Sequence, residues 1–379
     1  MFGTDFSKSL RKFRHQLTGV RQQHSSVSWY PYDTLATLEL LFRSLKDLHD
    51  ILPRSKNRPM LDVGCADGAA AFFFESLGFT VDAIDHFMTN YNEMQGIRTL
   101  KAALKSGVAI SDVNLDAGHS LPRDQYGLTL ALGVLYHLKN PYTFLETLSR
   151  RAEHCLLSTR VAAYTPDGQS IQRLPVGYLV DYDETNNDPT NFWVFSEAGL
   201  ATLFRRTGWK VKRLFYEGAS ESHAASDEAD QRAFCLLQSV YAENLSTIEL
   251  GHGWHELEYL SWRWTAKSFS VFLNRRSGER GAGELTFAFT VPPALVEGRE
   301  VTLKVDVDGT VLPPKTLDVP GETMYRAVLP TPFRKAERLH VNCSLDYAIR
   351  PPDDPRELGV IVKFFEDVRS EPVKPFALL

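Results

Sequence analysis

The sequence predicts two folds in series: a doubly wound α/β sheet, then a smaller all-β sandwich. Three observations predict this. Between residues 53 and 243, apolar runs of strand length alternate with stretches of helical periodicity, the pattern of a mostly parallel sheet with helices on both faces. From about residue 249 the pattern changes to apolar–polar alternation broken by frequent turn signals. Twelve of the 20 prolines lie after residue 290, where they punctuate short strands. We therefore expect a helical segment over 1–52 that serves as a lid, an α/β domain over 53–243 and a β-sandwich over 249–379.

Composition narrows the class. A chain of 379 residues has room for two domains. Its 43% hydrophobic and 23% charged residues are globular values, which exclude a disordered tail or a fibre. Lys and Arg number 42 against 47 Asp and Glu, a net charge of −5, which argues against general nucleic-acid binding. Cys65, Cys155, Cys235 and Cys343 are scattered singly; they read as buried thiols, and no metal site is expected. The basic N-terminal stretch has no apolar core of the secretory kind, and the longest nearly apolar run, from Leu128 to Tyr136, is too short to span a bilayer. The expectation is a soluble, cytoplasmic protein.

The elements follow in order. Phe6, Leu10, Phe13 and Leu17 recur at helical spacing, with cations on the other face. Leu38, Leu41, Leu45 and Leu48 line one side of a helix predicted from Leu35 to Ile51. A strand over 60–63 enters the loop Gly64-Cys65-Ala66-Asp67-Gly68, and a helix over 69–77 leaves it. A second strand ends at Asp85. A helix over 99–105, strands over 108–115 and 128–135, a helix opened by Pro141, a strand over 155–158, a helix capped by Ser196 and strands over 211–216 and 234–240 complete the domain. Farther on, the segments 284–291 and 301–307 alternate strictly, Asp308-Gly309 is a turn signal, and 339–345 and 359–365 are strand-like.

The chemistry starts in the glycine-containing loop. A strand that runs through small residues into a helix lets a ligand approach the backbone and offers an anion the helix N-terminus. The small residues fall at 64, 66 and 68, with Asp62 two places before the first. Asp85 follows at the end of the next strand, where a carboxylate can accept from both hydroxyls of a ribose. Dinucleotide sites share that device, so Asp85 alone does not discriminate. Farther on, Leu132-Gly133-Val134-Leu135-Tyr136-His137 precedes Asn140-Pro141.

With that segment the stretch from Trp29 to Val240 resembles the class I S-adenosylmethionine (SAM)-dependent methyltransferases, whose fold is a seven-stranded Rossmann-like sheet. The GVLYH…NP segment is similar to that of the bacterial tRNA wobble-uridine methyl- and carboxymethyltransferase group. The WYPYD and NNDPTNFW segments resemble those of a set of bacterial methyltransferases. The resemblance implies that Asp62, Gly64, Ala66 and Gly68 hold the methionine end of SAM, Ala66 standing where a glycine is usual. It implies that Asp85 takes the ribose, that Asn114 or Asp116 reaches the adenine, and that Leu132 and Gly133 pass beside adenine and sulfonium.

His137, just past the fourth strand, is the candidate general base, with Asp188 as the second candidate catalytic residue; a histidine that only orients its loop is the structural alternative. Tyr30, Tyr32, Tyr136, Asn187, Asn191 and Trp193 are candidate acceptor contacts, since amides beside aromatics suit a hydroxylated or sugar substrate. Trp254, His255, Trp262, Arg263 and Trp264 fit either interdomain packing or glycan stacking. His223, Asp227, Glu228 and Asp230 read as a solvated loop. The expected activity is O-methylation of a small-molecule or glycan-linked acceptor. The alternatives are a tRNA-modifying methyl- or carboxymethyltransferase, or a non-catalytic SAM-binding scaffold.

Overall fold

Strand β1 (Met60–Val63) is buried at every position, and its period of two explains how. Met60 enters one apolar layer, while Leu61 and Val63 enter the other. The computed structural model of the protein describes residues 2–117, 121–225, 229–242, 248–256, 258, 262–274, 283–334, 336–363 and 376–378. It divides into two units, 1–240 and 241–379.

In the first unit β1 lies centrally among parallel strands β2 (Val81–Asp85), β3 (Ala109–Asp112), β4 (Tyr126–Leu132) and β5 (Ala152–Val161), in the order β3-β2-β1-β4-β5. β9 (Gln231–Ser239) runs antiparallel beside β5, and β8 (Trp209–Gly218) runs antiparallel beside β9. These seven strands form the expected Rossmann-like sheet. A hairpin of β6 (Gly177–Leu179) and β7 (Trp193–Phe195) adds two more past the end of β5, where Phe195 pairs with Val161.

One face is covered by α1 (Phe2–Gln23), α2 (Thr34–Ser44), α3 (Leu48–Ser55), α4 (Ala69–Ser76) and α5 (Gln95–Leu104). The other is covered by α6 (Pro141–Ser149) and α7 (Glu197–Arg206). The first six residues of α4, Ala69 to Phe74, are apolar and buried all round the helix. Phe6 of α1 stacks on Phe42 of α2 at 3.6 Å and meets Phe73 of α4 edge-on at 5.1 Å. Helices α1 and α2 are thus anchored in the core through their apolar stripes.

Several elements differ from expectation. The helix predicted over 35–51 is two, broken at Leu45, which leaves helical geometry with φ −108° and ψ 81°. All four leucines stay buried, so the apolar period survives the break. The strand predicted over 108–115 ends at Asp112, since Asn114 turns the chain by accepting from the N–H of Asp116. The helix predicted to open at 99 opens at Gln95. Leu135 leaves the fourth strand for a 3-10 turn, Leu135–His137.

The second unit contains two antiparallel sheets. One holds β10 (Ile248–Leu250), β12 (Ser268–Asn274), β18 (Arg338–Leu345) and β14 (Val301–Val307), with β15 (Thr310–Val311) and β16 (Lys315–Leu317) against β14. The other holds β11 (Trp262–Trp264), β19 (Ile361–Lys363), β13 (Glu284–Val291) and β17 (Gly321–Val328), with β20 (Phe376–Leu378) against β13. Alternate residues are buried, as in Leu303, Val305 and Val307, and Tyr325 of β17 donates to the carbonyl of Pro313, between β15 and β16, at 2.8 Å. The Asp308-Gly309 turn joins β14 to β15 with both residues at positive φ. Of the strand expected over 359–365, residues 364 and 365 lie outside the described residues.

The aromatic run at the start of this unit is engaged within it. Trp254 donates its ring N–H to the Ser270 carbonyl at 2.7 Å, and His255 lies 2.7 Å from the Glu357 carbonyl. Arg263 donates to the His255 carbonyl at 2.8 Å.

Candidate active site

All five parallel strands end at one rim, and the predicted residues gather there. The loop after β1 makes its turn by three left-handed residues, Gly64 at φ 62°, Ala66 at 50° and Gly68 at 78°. Two of them also need the absence of a side chain. A Cβ on Gly64 would stand 2.6 Å from Cγ2 of Val134, and one on Gly68 would stand 2.7 Å from Cγ1 of Ile97. The loop therefore lies pressed between the start of α5 and the turn after β4.

Two carboxylates flank this loop. Asp62, buried within β1, accepts from the Ala71 N–H of α4 at 3.1 Å. Burial, reinforced by the charge on Asp85, pushes its pKa up to about 7. Asp85 accepts from the Ala66 N–H and from the His86 N–H, each at 2.8 Å. Burial raises its pKa too. Two N–H bonds leave a carboxylate with acceptor capacity for further donors.

Asp67 was not singled out by its sequence, and it is the hub of the rim. Its carboxylate is 2% exposed. It accepts from the Tyr30 N–H at 2.8 Å, from Asn92 Nδ2 at 2.8 Å and from Arg21 at 3.3 Å. Asn92 also donates to the Ser28 carbonyl. One side chain thus holds the 28–30 segment across the loop. Tyr30 packs against Tyr32 and Tyr91, with ring centroids at 5.3 and 5.9 Å, while Tyr32 and Tyr91 stay exposed.

On the far side of the loop, Gly133 turns the chain at φ 75° into the Leu135–His137 turn. Nδ1 of His137 lies 3.1 Å from the Thr190 carbonyl and 3.0 Å from its Oγ1. That hydroxyl is committed as a donor to Asp188 Oδ1 at 2.7 Å. A carbonyl only accepts, so Nδ1 carries the proton and Nε2 is left with its lone pair. Burial lowers the His137 pKa, and the proton stays off Nε2 at neutral pH. Asp188 and His137, the two candidate catalytic residues, are therefore joined through Thr190.

The family model described as a methyltransferase domain matches residues 37–214. The chain carries a class I SAM-dependent methyltransferase domain. Among solved structures, it is similar to the N-terminal domain of EvdMO1 with SAH bound, at 14% identity over 60% of this chain and 96% of that one, with a TM-score of 0.39. It is similar to an S-adenosylmethionine-dependent methyltransferase from Mesorhizobium loti, at 16% identity over 51% and 96%, TM-score 0.39. A SAM-dependent methyltransferase from Methanosarcina mazei gives 14%, over 51% and 96%, TM-score 0.36. No curated protein matches the chain.

Within the methyltransferase domain, other expected residues sit less simply. Asn114 bonds its own turn, and Asp116 accepts from the N–H groups of Lys139 at 2.9 Å and Asn140 at 3.2 Å. Asp112, at the true end of β3 and paired in register with Asp85, accepts from the Phe87 N–H at 2.9 Å. Asn191 is buried and donates to the carbonyls of Thr185 and Asp188, clasping its loop. Asn187 is exposed and left-handed. Trp193 opens β7 and donates to the Lys139 carbonyl at 3.2 Å. Together with the Phe192 N–H to the Tyr136 carbonyl at 2.8 Å, this bond ties the 185–193 segment to the His137 turn.

Arg232, at the start of β9, was also missed. Its Nη1 donates to Tyr136 Oη at 3.3 Å, and its guanidinium lies over the Tyr136 ring at 5.6 Å. No local motif surrounds it, and only the antiparallel return of β9 brings it to the rim. Among the described residues no group of three or more His, Cys, Asp or Glu is placed to hold a metal, and no helix is long and apolar enough to cross a membrane. Asp227 and Glu228 lie outside the described residues.

Proposed function

We propose that the domain methylates a hydroxyl of a small-molecule or glycan-linked acceptor, with His137 as general base. The observation that carries this reading is the fixed tautomer of His137: Nδ1–H is held by Thr190, and Nε2 is free of a proton. Bound SAM would supply an electrophilic methyl on a sulfonium, with a neutral thioether as the leaving group. The residues present fit that group. Asp85 offers a carboxylate to the ribose diol, Asp62 offers a buried carboxyl group toward the methionine end, and Asp112 stands next to Asp85 for the purine edge. Asp112 joins Asn114 and Asp116 as a candidate for the adenine in this reading, because it ends the strand beside Asp85. His137 Nε2 would take the acceptor's hydroxyl proton while the rim holds that oxygen in line with the methyl group. Exposed Tyr32 and Tyr91 beside Tyr30 give rings that suit the apolar face of a sugar.

The test is methyl transfer from isotopically labelled SAM into glycan and small-molecule fractions beside bulk tRNA. Label in the first two, and none in tRNA, is expected. His137→Asn should cut kcat by roughly 10²-fold or more with SAM affinity unchanged. Because the His137 pKa lies below its ordinary value of about 6.5, activity should hold as pH falls to that value and decline only below it. A decline centred above pH 7 would exclude His137 as the base.

A further inference from the structure

Arg232 is a cation half-sunk in the rim, its side chain 37% exposed, and its nearest acid, Asp230, is at 3.4 Å from Nε. Its partner Tyr136 is held there in addition through its backbone carbonyl, which accepts from the Phe192 N–H, and by the 3-10 turn. The guanidinium stands beside Tyr136, one of the groups assigned to the acceptor. It bonds Tyr136, and its charge acts on both Tyr30 and His137. A guanidinium presents a planar fork of donors that matches a carboxylate or a phosphate, and a phenol beside it adds one more donor. Asp230 meets the guanidinium at Nε and Tyr136 meets it at Nη1, which leaves the outer donors of the fork for a group on the acceptor.

We propose that Arg232, with Tyr136, recognises an anionic group on the acceptor, a carboxylate or a phosphate carried close to the hydroxyl that is methylated. The inference rests on the placement of acceptor and base given under Proposed function. It narrows the acceptor class to hydroxylated acids or phosphate esters.

Calorimetry on the full chain tests it with three probes: glucuronate, glucose 1-phosphate and methyl glucoside. Each is titrated into the wild-type protein saturated with S-adenosylhomocysteine (SAH). At least one anionic probe should bind tenfold or more tightly than methyl glucoside, and whichever of the two is tighter identifies carboxylate or phosphate as the source. Arg232→Gln should weaken that probe by tenfold or more while SAH affinity changes less than twofold. Arg232→Lys, which keeps the charge but not the fork, should fall between, and so keeps the test informative if the glutamine variant loses its cooperative unfolding. Equal binding of methyl glucoside, or an Arg232→Gln variant that binds the anion as well as the wild type, would overturn the proposal. So would a parallel tenfold loss of SAH affinity, which would move Arg232 to the cofactor. If SAH binds the wild type and no anion does, this inference alone fails. If SAH itself does not bind, the proposed function fails and takes this inference with it.

Discussion

Ala66 occupies a left-handed position that favours glycine, at φ 50°. For an L-residue that conformation costs about 1–2 kcal/mol. Ala66→Gly should therefore stabilise the domain by about 1 kcal/mol, read as a higher unfolding midpoint, and leave SAH affinity within twofold. A lower midpoint would contradict the strain. Its neighbours Gly64 and Gly68 were legible in the sequence because a positive φ under close packing leaves few residue choices. Asp62, Asp85 and His137 were legible for a related reason, since each stands at the end of a strand or just past one. Arg232 and Asp67 were not. Their roles come from partners 96 and 37 positions away, at Tyr136 and Tyr30, and no local pattern records such pairings. The strand expected to run past Asn114 stops at Asp112, although the apolar period continues through Val113 and Leu115 after the ladder has ended.

At the scale of elements, the 28–30 segment crosses the loop after β1, and Asp67 is its fastening. Asp67→Ala would leave the Tyr30 N–H, Asn92 and Arg21 without that acceptor, at a cost of about 2 kcal/mol. Amide exchange at Tyr30 should accelerate, and SAH should dissociate faster, while the midpoint falls. Unchanged protection at Tyr30 would mean that the segment is held by its apolar contacts alone. Long periodic elements such as α1 and the alternating β13 and β14 could be read directly, because burial on one face repeats over many residues. The hairpin β6–β7 could not, since strands of three residues are too short to show a period. That hairpin still matters to the site: it delivers the 185–193 segment to His137 through the Phe192 and Trp193 bonds.

The whole molecule joins two units with different grammars. The change of period near residue 245 was visible because an α/β layer and an antiparallel sheet bury their residues at different spacings. Each unit has its own buried core, and a domain with its own core can fold alone. A chain of residues 1–240 should therefore unfold cooperatively and bind SAH with an affinity within threefold of the full chain. Loss of SAH binding on that truncation would show that the β unit completes the cofactor site. The central claim is that the rim around Asp62, Gly64 and Asp85 seats SAM. Calorimetric titration of the full chain with SAM and with SAH, beside Asp85→Ala, tests it most directly. The account predicts micromolar binding of both, weakened by tenfold or more in the variant, about 1.4 kcal/mol. No binding of either ligand to the wild type, or equal binding to Asp85→Ala, would contradict it.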